Sequence, residues 1–168
     1  MERENARDQW LEQAMEQWEV PLLRTCCLLL RDAALAEDAV QETFLKAWRA
    51  YGDYRRDASE KTWLMRIAAN TCRDMLRSRW LRHTDRRVAL EELPEPVCEF
   101  SAPDDTLTRA ILALPDGLRQ AVTLRYYQGL TADEVASVLH IRRRAVYDRL
   151  KKAERALGAA LEDWYHAE

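Results

Sequence analysis

The chain has 168 residues, with 26 Lys and Arg against 29 Asp and Glu for a net charge of −3, and only four Gly and five Pro. With 23 Leu and 24 Ala against 11 Val plus Ile, it holds little material for strands and much for helices, so an all-α protein is expected. No uninterrupted apolar run exceeds the five residues of Cys26 to Leu30, and the opening Glu2, Arg3, Glu4 is unlike a secretory leader; direct membrane insertion is excluded and the cytoplasm is the expected address.

Two modules of about 80 residues would each bury only ~60% of their unfolded surface, leaving room for a partner to contribute order. Cys26 and Cys27 are adjacent, and Cys72 and Cys98 stand alone. No Cys or His spacing suits zinc, so reduced thiols are expected, with no metal and no redox role.

Charge is segregated along the chain. Residues 1–48 carry ten acids and five bases, residues 49–87 eleven bases and five acids, and residues 88–105 six acids and no base. A second basic block, Arg142 to Lys152, has six bases and one acid. Two basic zones about an acidic strip predict two contact sites for a polyanion. The strip also holds Pro94, Pro96 and Pro103, and reads as a linker. The expected organisation is a module at 1–87, a linker at 88–103 and a module at 104–168.

In the first module Trp10, Leu11, Ala14, Met15 and Trp18 follow helical spacing, and Pro21 is read as opening a fresh helix that runs through Leu30. A third helix, from about Leu35 to Ala50, puts Ala39, Val40, Thr43, Phe44 and Ala47 on its inner face. Asp38 and Glu42 stand one turn apart on other faces with Gln41 adjoining, a compact acidic patch. Tyr51 to Ala58 is basic and rich in breakers, and Asp57 with Glu60 three residues on predicts the capped start of a long helix to about Trp80. Trp63, Ile67 and Thr71 recur every four residues as its apolar repeat, beside a polar row of Arg66, Asn70, Arg73 and Arg77. From charge alone that row is either a solvated face or a nucleic-acid contact.

In the second module a helix from Thr106 to Leu114 stops at Pro115, and another from Asp116 to Tyr127 carries Leu118, Ala121, Val122 and Leu124 as core candidates before Gly129. Thr131 and Glu134 form a capping box that opens a helix of two turns bearing Val135, Ala136, Val138 and Leu139. After His140 and Ile141 a longer helix begins near Arg142, with Val146, Leu150, Ala153 and Leu157 inside. A short helix, a tight turn and a basic helix opening on Arg142, Arg143 and Arg144 predict a helix-turn-helix, whose second helix enters a major groove.

These residues resemble the bacterial sigma factors of RNA polymerase, in particular the extracytoplasmic-function (ECF) group. Ala36 to Trp48 is similar to the family's polymerase-binding motif in region 2, and Lys61 to Asn70 with Asp74 to its promoter-melting, minus-10-reading helix. Leu114-Pro115 with Arg119, then Gly129 to Thr131, Glu134 to Ala136, Val146 and Arg149-Leu150 resemble region 4, which reads the minus-35 element. The resemblance implies two small helical domains, a region 2-like bundle and a region 4-like helix-turn-helix, in a protein that directs promoter recognition, DNA melting and transcription initiation.

It further implies that Asp38, Gln41, Glu42 and Trp48 belong to the surface that docks on core RNA polymerase. The minus-10 strand would meet Arg55, Arg56, Lys61, Trp63, Asn70, Arg73 and Arg77, with Trp63 weighed more as core than as a stacking platform. The minus-35 duplex would meet Thr131, Arg142, Arg143, Arg144, Tyr147, Arg149 and Lys151. The partners implied are core RNA polymerase, promoter DNA and an anti-sigma factor, often membrane-anchored; no cofactor is implied. His140 stands where the family commonly has Gly, so it must adopt a left-handed conformation or shift the turn. Arg142, Arg144-Ala145 and Tyr147-Asp148 also depart from the family's pattern, and Glu60 occupies a position that is often aromatic.

Competing readings are weaker. His83, His140 and His166 lie far apart in sequence, and with no phosphate-cradling Gly-rich loop no enzyme activity is expected. A stand-alone helix-turn-helix regulator would share the C-terminal half but would bind duplex DNA unaided. A helical adaptor protein would not require two basic zones.

Overall fold

The first helix, α1 (Glu2–Leu30), runs without a break through Pro21. The expected restart at Pro21 is therefore corrected. Proline leaves the carbonyl of Gln17 without its helical donor, but Gln17 is exposed, so water can serve it. Buried Ala14 precedes the proline, and Leu22 and the run Thr25 to Leu30 follow it, so packing on both sides holds the two halves in line. Residues 2–86 and 105–166 are described in this computed structural model. The linker expected at 88–103, and Cys98, lie outside them.

Arg31, with φ of 56°, turns the chain out of α1, and its N–H donates to the Cys27 carbonyl at 2.9 Å. Asp32 then caps α2 (Ala33–Ala50), its Oδ1 accepting from the Leu35 N–H at 3.0 Å. The buried stripe of α2 is Ala36, Ala39, Val40, Thr43, Phe44 and Ala47, which includes every inner residue expected from the spacing. A single 3-10 turn, Tyr51–Asp53, leads into the basic loop before α3 (Glu60–Arg86).

The start of α3 differs from expectation. Ser59, not Asp57, supplies the cap: its Oγ accepts from the Thr62 N–H at 3.1 Å and its carbonyl from the Trp63 N–H at 2.9 Å. The apolar repeat also shifts. Thr62, Leu64, Met65, Ala68, Ala69, Thr71 and Cys72 are buried, whereas Trp63 and Ile67 are only half-buried. Helices α1, α2 and α3 all pack on one another, and Cys26, Cys27 and Cys72 are buried in that core without forming disulfides among the described residues.

The chain divides into two compact units, Met1–Val97 and Cys98–Glu168. In the second, α4 (Asp105–Leu112) is followed by α5 (Asp116–Val122), which widens into a π-helical turn, Thr123–Tyr127. Gly129, at φ of 68°, makes the left-handed bend that lets the Leu130 N–H reach back to the Leu124 carbonyl at 3.1 Å. Helices α6 (Ala132–Leu139) and α7 (Arg143–His166) complete the unit, with α7 packed on α4, α5 and α6. Its core includes Ile111, Leu114, Val122, Leu124, Val135, Val138, Val146 and Leu150. Two expected core residues, Leu118 and Leu157, are only half-buried. Beside Leu118 it is Arg119 that is buried, at 2% exposure.

Candidate functional site

On α2 the apolar stripe faces inward, which leaves Asp38 and Gln41 exposed and Glu42 half-buried. Asp38 and Glu42 line one wall of an open groove of about 720 Å³ within the first unit, whose other wall is α3 residues Thr71, Asp74, Met75, Ser78 and Arg79. Lys46 sits in the groove, 3.9 Å from the Glu42 carboxylate, and donates to Thr71 Oγ1 at 3.1 Å. Arg79 lies 3.6 Å from Asp32. Gln41 and Trp48 do not line this groove. Trp48 is half-buried and tied to α1: its indole N–H donates to Asp8 Oδ1 at 2.8 Å, and the Arg7 guanidinium lies 3.5 Å from its ring centroid.

The loop before α3 is built on aromatic rings. Tyr54 stacks on Trp63 with centroids 4.4 Å apart and planes 17° from parallel, and Trp10 contacts both Trp63 at 5.8 Å and Tyr51 at 4.7 Å. Trp63 is therefore a member of a half-exposed aromatic row; its expected place in the core is corrected. The Tyr54 hydroxyl donates to the Ala58 carbonyl at 2.7 Å, closing a loop that presents exposed Arg55 and Arg56, the latter at φ of 60°. Burial, then the nearby Glu60 carboxylate, pushes the Tyr54 hydroxyl above its usual pKa. Along α3, Arg73 donates to Asn70 Oδ1, and Arg73 and Arg77 are exposed while Arg66 and Asn70 are half-buried.

In the second unit the capping box is complete: Thr131 Oγ1 accepts from the Glu134 N–H at 3.2 Å and Glu134 Oε2 from the Thr131 N–H at 2.7 Å. The Thr131 hydroxyl is thus already engaged. Of the two outcomes open to His140 in the place of a glycine, the structure shows the left-handed conformation, φ 53° and ψ 43°, and not a shifted turn. Arg142 closes the turn, its carbonyl accepting from the Val146 N–H at 3.2 Å, and α7 leaves Arg142, Arg143, Arg144 and Tyr147 exposed at its start. Arg143 is held from two sides, 3.4 Å from Asp133 Oδ2 of α6 and 3.3 Å from the Tyr147 hydroxyl. Those two partners raise its pKa, the Tyr147 hydrogen bond most. Lys151 is exposed farther along, whereas the Arg149 guanidinium lies over Gly117 of α5, its Cζ 3.3 Å from where a Cβ would stand there. Arg149 is thus drawn toward α5 and away from the exposed cluster at the start of α7.

Sequence reasoning missed three groups. It read Glu60 as a cap partner, whereas both carboxylate oxygens accept indole N–H groups, from Trp10 and Trp18, each at 2.8 Å. It did not pair Asp133 with Arg143, because a contact across a turn leaves no periodic trace. It also gave no role to Arg7 and Asp8, whose partner Trp48 is 40 residues from Asp8.

Among the described residues no group of three or more His, Cys, Asp or Glu side chains is placed to hold a metal ion, and no helix is long and apolar enough to cross a membrane. The arrangement offers an anionic face for a protein partner and two cationic faces for nucleic acid.

Comparison with known proteins places the chain. Residues 15–82 match the Sigma-70 region 2 family and residues 104–157 the Sigma-70 region 4 family. The RNA polymerase sigma-H factor of Pseudomonas aeruginosa is 35% identical over 147 residues, 79% of this chain and 76% of that protein. The ECF RNA polymerase sigma-E factor of Escherichia coli is 34% identical over 134 residues, 71% and 70% of the two chains. Among solved structures, the sigma factor RpoE of Bartonella quintana, in complex with the anti-sigma factor NepR, shares the fold at a TM-score of 0.77 and 23% identity, over 90% of this chain and 96% of that one. CnrH, in complex with the cytosolic domain of CnrY, aligns at 0.68 and 26% over 93% and 90%. Two family matches in the right order, together with relatives at this identity and coverage, establish that the chain belongs to the ECF sigma factors of RNA polymerase.

Proposed function

We propose that this sigma factor docks on core RNA polymerase through α2, holds the minus-10 strand on the basic loop and α3, and reads the minus-35 duplex with α6 and α7. The family it belongs to consists of non-enzymatic transcription initiation factors. The observation that carries the reading is that exposed acids prevail on α2, and exposed arginines on the loop, on α3 and at the start of α7. Glu37 and Asp38 are exposed on α2, with Glu42 half-buried beside them, while Arg55, Arg56, Arg73 and Arg77, and separately Arg142 to Arg144, are exposed elsewhere. An anionic face suits a basic protein partner, where charge complementarity sets orientation and rate more than affinity. The cationic faces suit phosphate, with base choice left to the few side chains that reach an edge.

The functional modules are residues 1–87 and 104–168, joined by the acidic stretch 88–103. Of the region 2 residues, Asp38, Gln41, Glu42 and Trp48 serve the polymerase, and Arg55, Arg56, Lys61, Asn70, Arg73 and Arg77 the minus-10 strand. Trp63 backs the loop, since one of its faces is already covered by Tyr54. In region 4, Arg142, Arg143, Arg144, Tyr147 and Lys151 face the minus-35 duplex. Thr131 and Arg149 shape that surface through the cap and through α5. A protein that acts on RNA polymerase acts where the polymerase is, in the cytoplasm. Control by an anti-sigma factor, whether soluble or membrane-anchored, fits a chain whose polymerase-binding face is open, and the Bartonella quintana sigma factor of this fold was solved with such a partner.

Run-off transcription with purified core enzyme on genomic fragments tests the whole reading. Cognate start sites are expected only when both proteins are present. Asp38→Arg should weaken core binding by about tenfold or more while leaving the helical circular-dichroism spectrum unchanged. Undiminished core affinity would remove α2 from the docking surface. Tight operator binding by the chain alone would favour a stand-alone regulator.

A further inference from the structure

Glu60 is the first residue of α3, where a carboxylate ordinarily turns back on the free N–H groups of the first turn. Here Ser59 does that work, which frees Glu60 for another task. Its Oε2 accepts the indole N–H of Trp10 and its Oε1 that of Trp18, each at 2.8 Å. The two donors stand eight residues apart on α1, and both oxygens of a single charge hold them. Hydrogen bonds to a charged group are the strong class, and the half-buried setting of all three side chains shields them from water.

Each indole so fixed carries a further contact. Trp10 touches Tyr51 and Trp63, Trp63 stacks on Tyr54, and Tyr54 closes the loop through the Ala58 carbonyl. The Lys61 ammonium lies 6.0 Å from the Trp18 ring centroid. A continuous chain of contacts therefore runs from the Glu60 carboxylate through Trp10 and Trp63 to Tyr54, and so to the loop that carries Arg55 and Arg56. The left-handed conformation of Arg56 makes that loop costly to hold without such a frame.

We infer that Glu60, with Trp10 and Trp18, is a positioning residue for minus-10 recognition: it fixes the aromatic row that shapes the Tyr54 to Ala58 loop, which makes α1 part of the promoter-reading apparatus. The inference rests on the assignment of that loop to the minus-10 strand. A base pocket presented by a loop is only as selective as the loop is ordered, because a mobile loop can adapt to the wrong base.

The test uses holoenzyme assembled from core polymerase and the full chain. Trp10→Phe and Trp18→Phe keep an aromatic ring but remove the N–H together with the second ring of the indole, so a thermal melt of each variant checks that the unit still folds; Glu60→Gln keeps one acceptor and the whole of both indoles, and Glu60→Ala removes both acceptors. Transcription from the cognate promoter is compared with that from promoters carrying single-base changes in the minus-10 element, on duplex and on pre-melted templates. Trp10→Phe and Glu60→Ala are expected to reduce discrimination between the right and wrong base by about fivefold to tenfold, Glu60→Gln by less, with core affinity and upstream-duplex binding within about twofold of the parent. A purely structural staple would lower the melting temperature and leave base preference untouched; that result overturns the inference. Arg55→Ala with Arg56→Ala separates the two levels. If that double variant impairs opening of the duplex while the clamp variants keep full discrimination, the loop reads DNA and the clamp does not position it. If the double variant is also silent, the minus-10 assignment fails and the inference falls with it.

Discussion

Arg119 is 2% exposed, and its guanidinium donates to the Leu114 carbonyl at 2.7 Å and to Asp116 Oδ1 at 2.5 Å. The bond to Leu114 spans Pro115, so the side chain ties the end of the α4 segment to the start of α5. Its Asp116 partner is largely exposed, so solvent screens that pair and the buried carbonyl contact carries more weight. Arg119→Ala would leave a cavity and remove a buried hydrogen bond, and should destabilise the second unit by about 3 kcal/mol. Amide-exchange protection of α4 and α5 across a urea series measures this. At Asp133 the opposite balance holds: both it and Arg143 are exposed, so the pair does little for folding. Its consequence is for binding, because a carboxylate near phosphate repels, yet this one aims the arginine. Asp133→Asn should strengthen binding to random duplex and weaken preference for the cognate minus-35 sequence, with less than about a tenfold change in either. Fluorescence anisotropy of holoenzyme on both duplexes decides it; a uniform gain on both would make Asp133 a mere repellent charge. Cys26 shows a third kind of residue effect. Its hydrogen bond with Cys72, followed by burial, pushes the thiol well above its usual 9.0. A raised folded pKa contributes stability that is complete below the unfolded value and is lost as pH rises through the folded one. Cys26 should therefore resist alkylation at neutral pH until the unit unfolds, as peptide mapping would show.

At the scale of the element, the π-helical turn after α5 has a structural cost that is open to measurement. The Gln128 N–H reaches back five residues to the Thr123 carbonyl at 3.1 Å, and the widened turn leaves Tyr126 and Tyr127 exposed. The Tyr126 hydroxyl donates to Glu154 Oε1 of α7 at 2.7 Å, which anchors the turn. Thr123 is fully buried, and its Oγ1 has no hydrogen-bond partner among the described residues. Replacing a buried, unpartnered hydroxyl by a methyl of nearly the same size removes a desolvation cost, so Thr123→Val should raise stability by about 1 kcal/mol. A lower urea midpoint would mean that the hydroxyl has a partner. Elements also show what local pattern can and cannot reveal. The capping box at Thr131, the left-handed His140 and the inner face of α2 were legible because each is decided within about one helical turn. The continuity of α1 through Pro21 was not, since packing on residues far along the chain overrides a local breaker. The buried stripe of α3 was misplaced for a related reason. Trp63 fits a period of four as well as Leu64 does, and what separates them is the aromatic row to which Trp10, 53 residues away in sequence, contributes.

For the molecule as a whole, charge segregation was the most legible feature, because a count along the chain needs no knowledge of contacts. The groups that order those charges, Glu60 for the loop and Asp133 for α7, were hidden because each acts across a turn or across 42 to 50 residues. Two units with separate cores and separate cationic faces also carry a consequence for how a promoter is read. Each face alone recognises too little DNA to compete with the bulk of the genome, so specificity must come from engaging two elements at once on a common platform. Inserting about five base pairs between the minus-10 and minus-35 elements turns one box to the opposite side of the duplex. With core enzyme present, run-off transcription should then fall by more than about tenfold, while binding of upstream duplex alone stays unchanged. Replacing Arg142, Arg143 and Arg144 by Ala should flatten the salt dependence of upstream-duplex binding by up to about three phosphate contacts, with the minus-10 preference on pre-melted templates retained. If transcription survives the insertion, the two units read their elements independently, and the polymerase does not set their spacing.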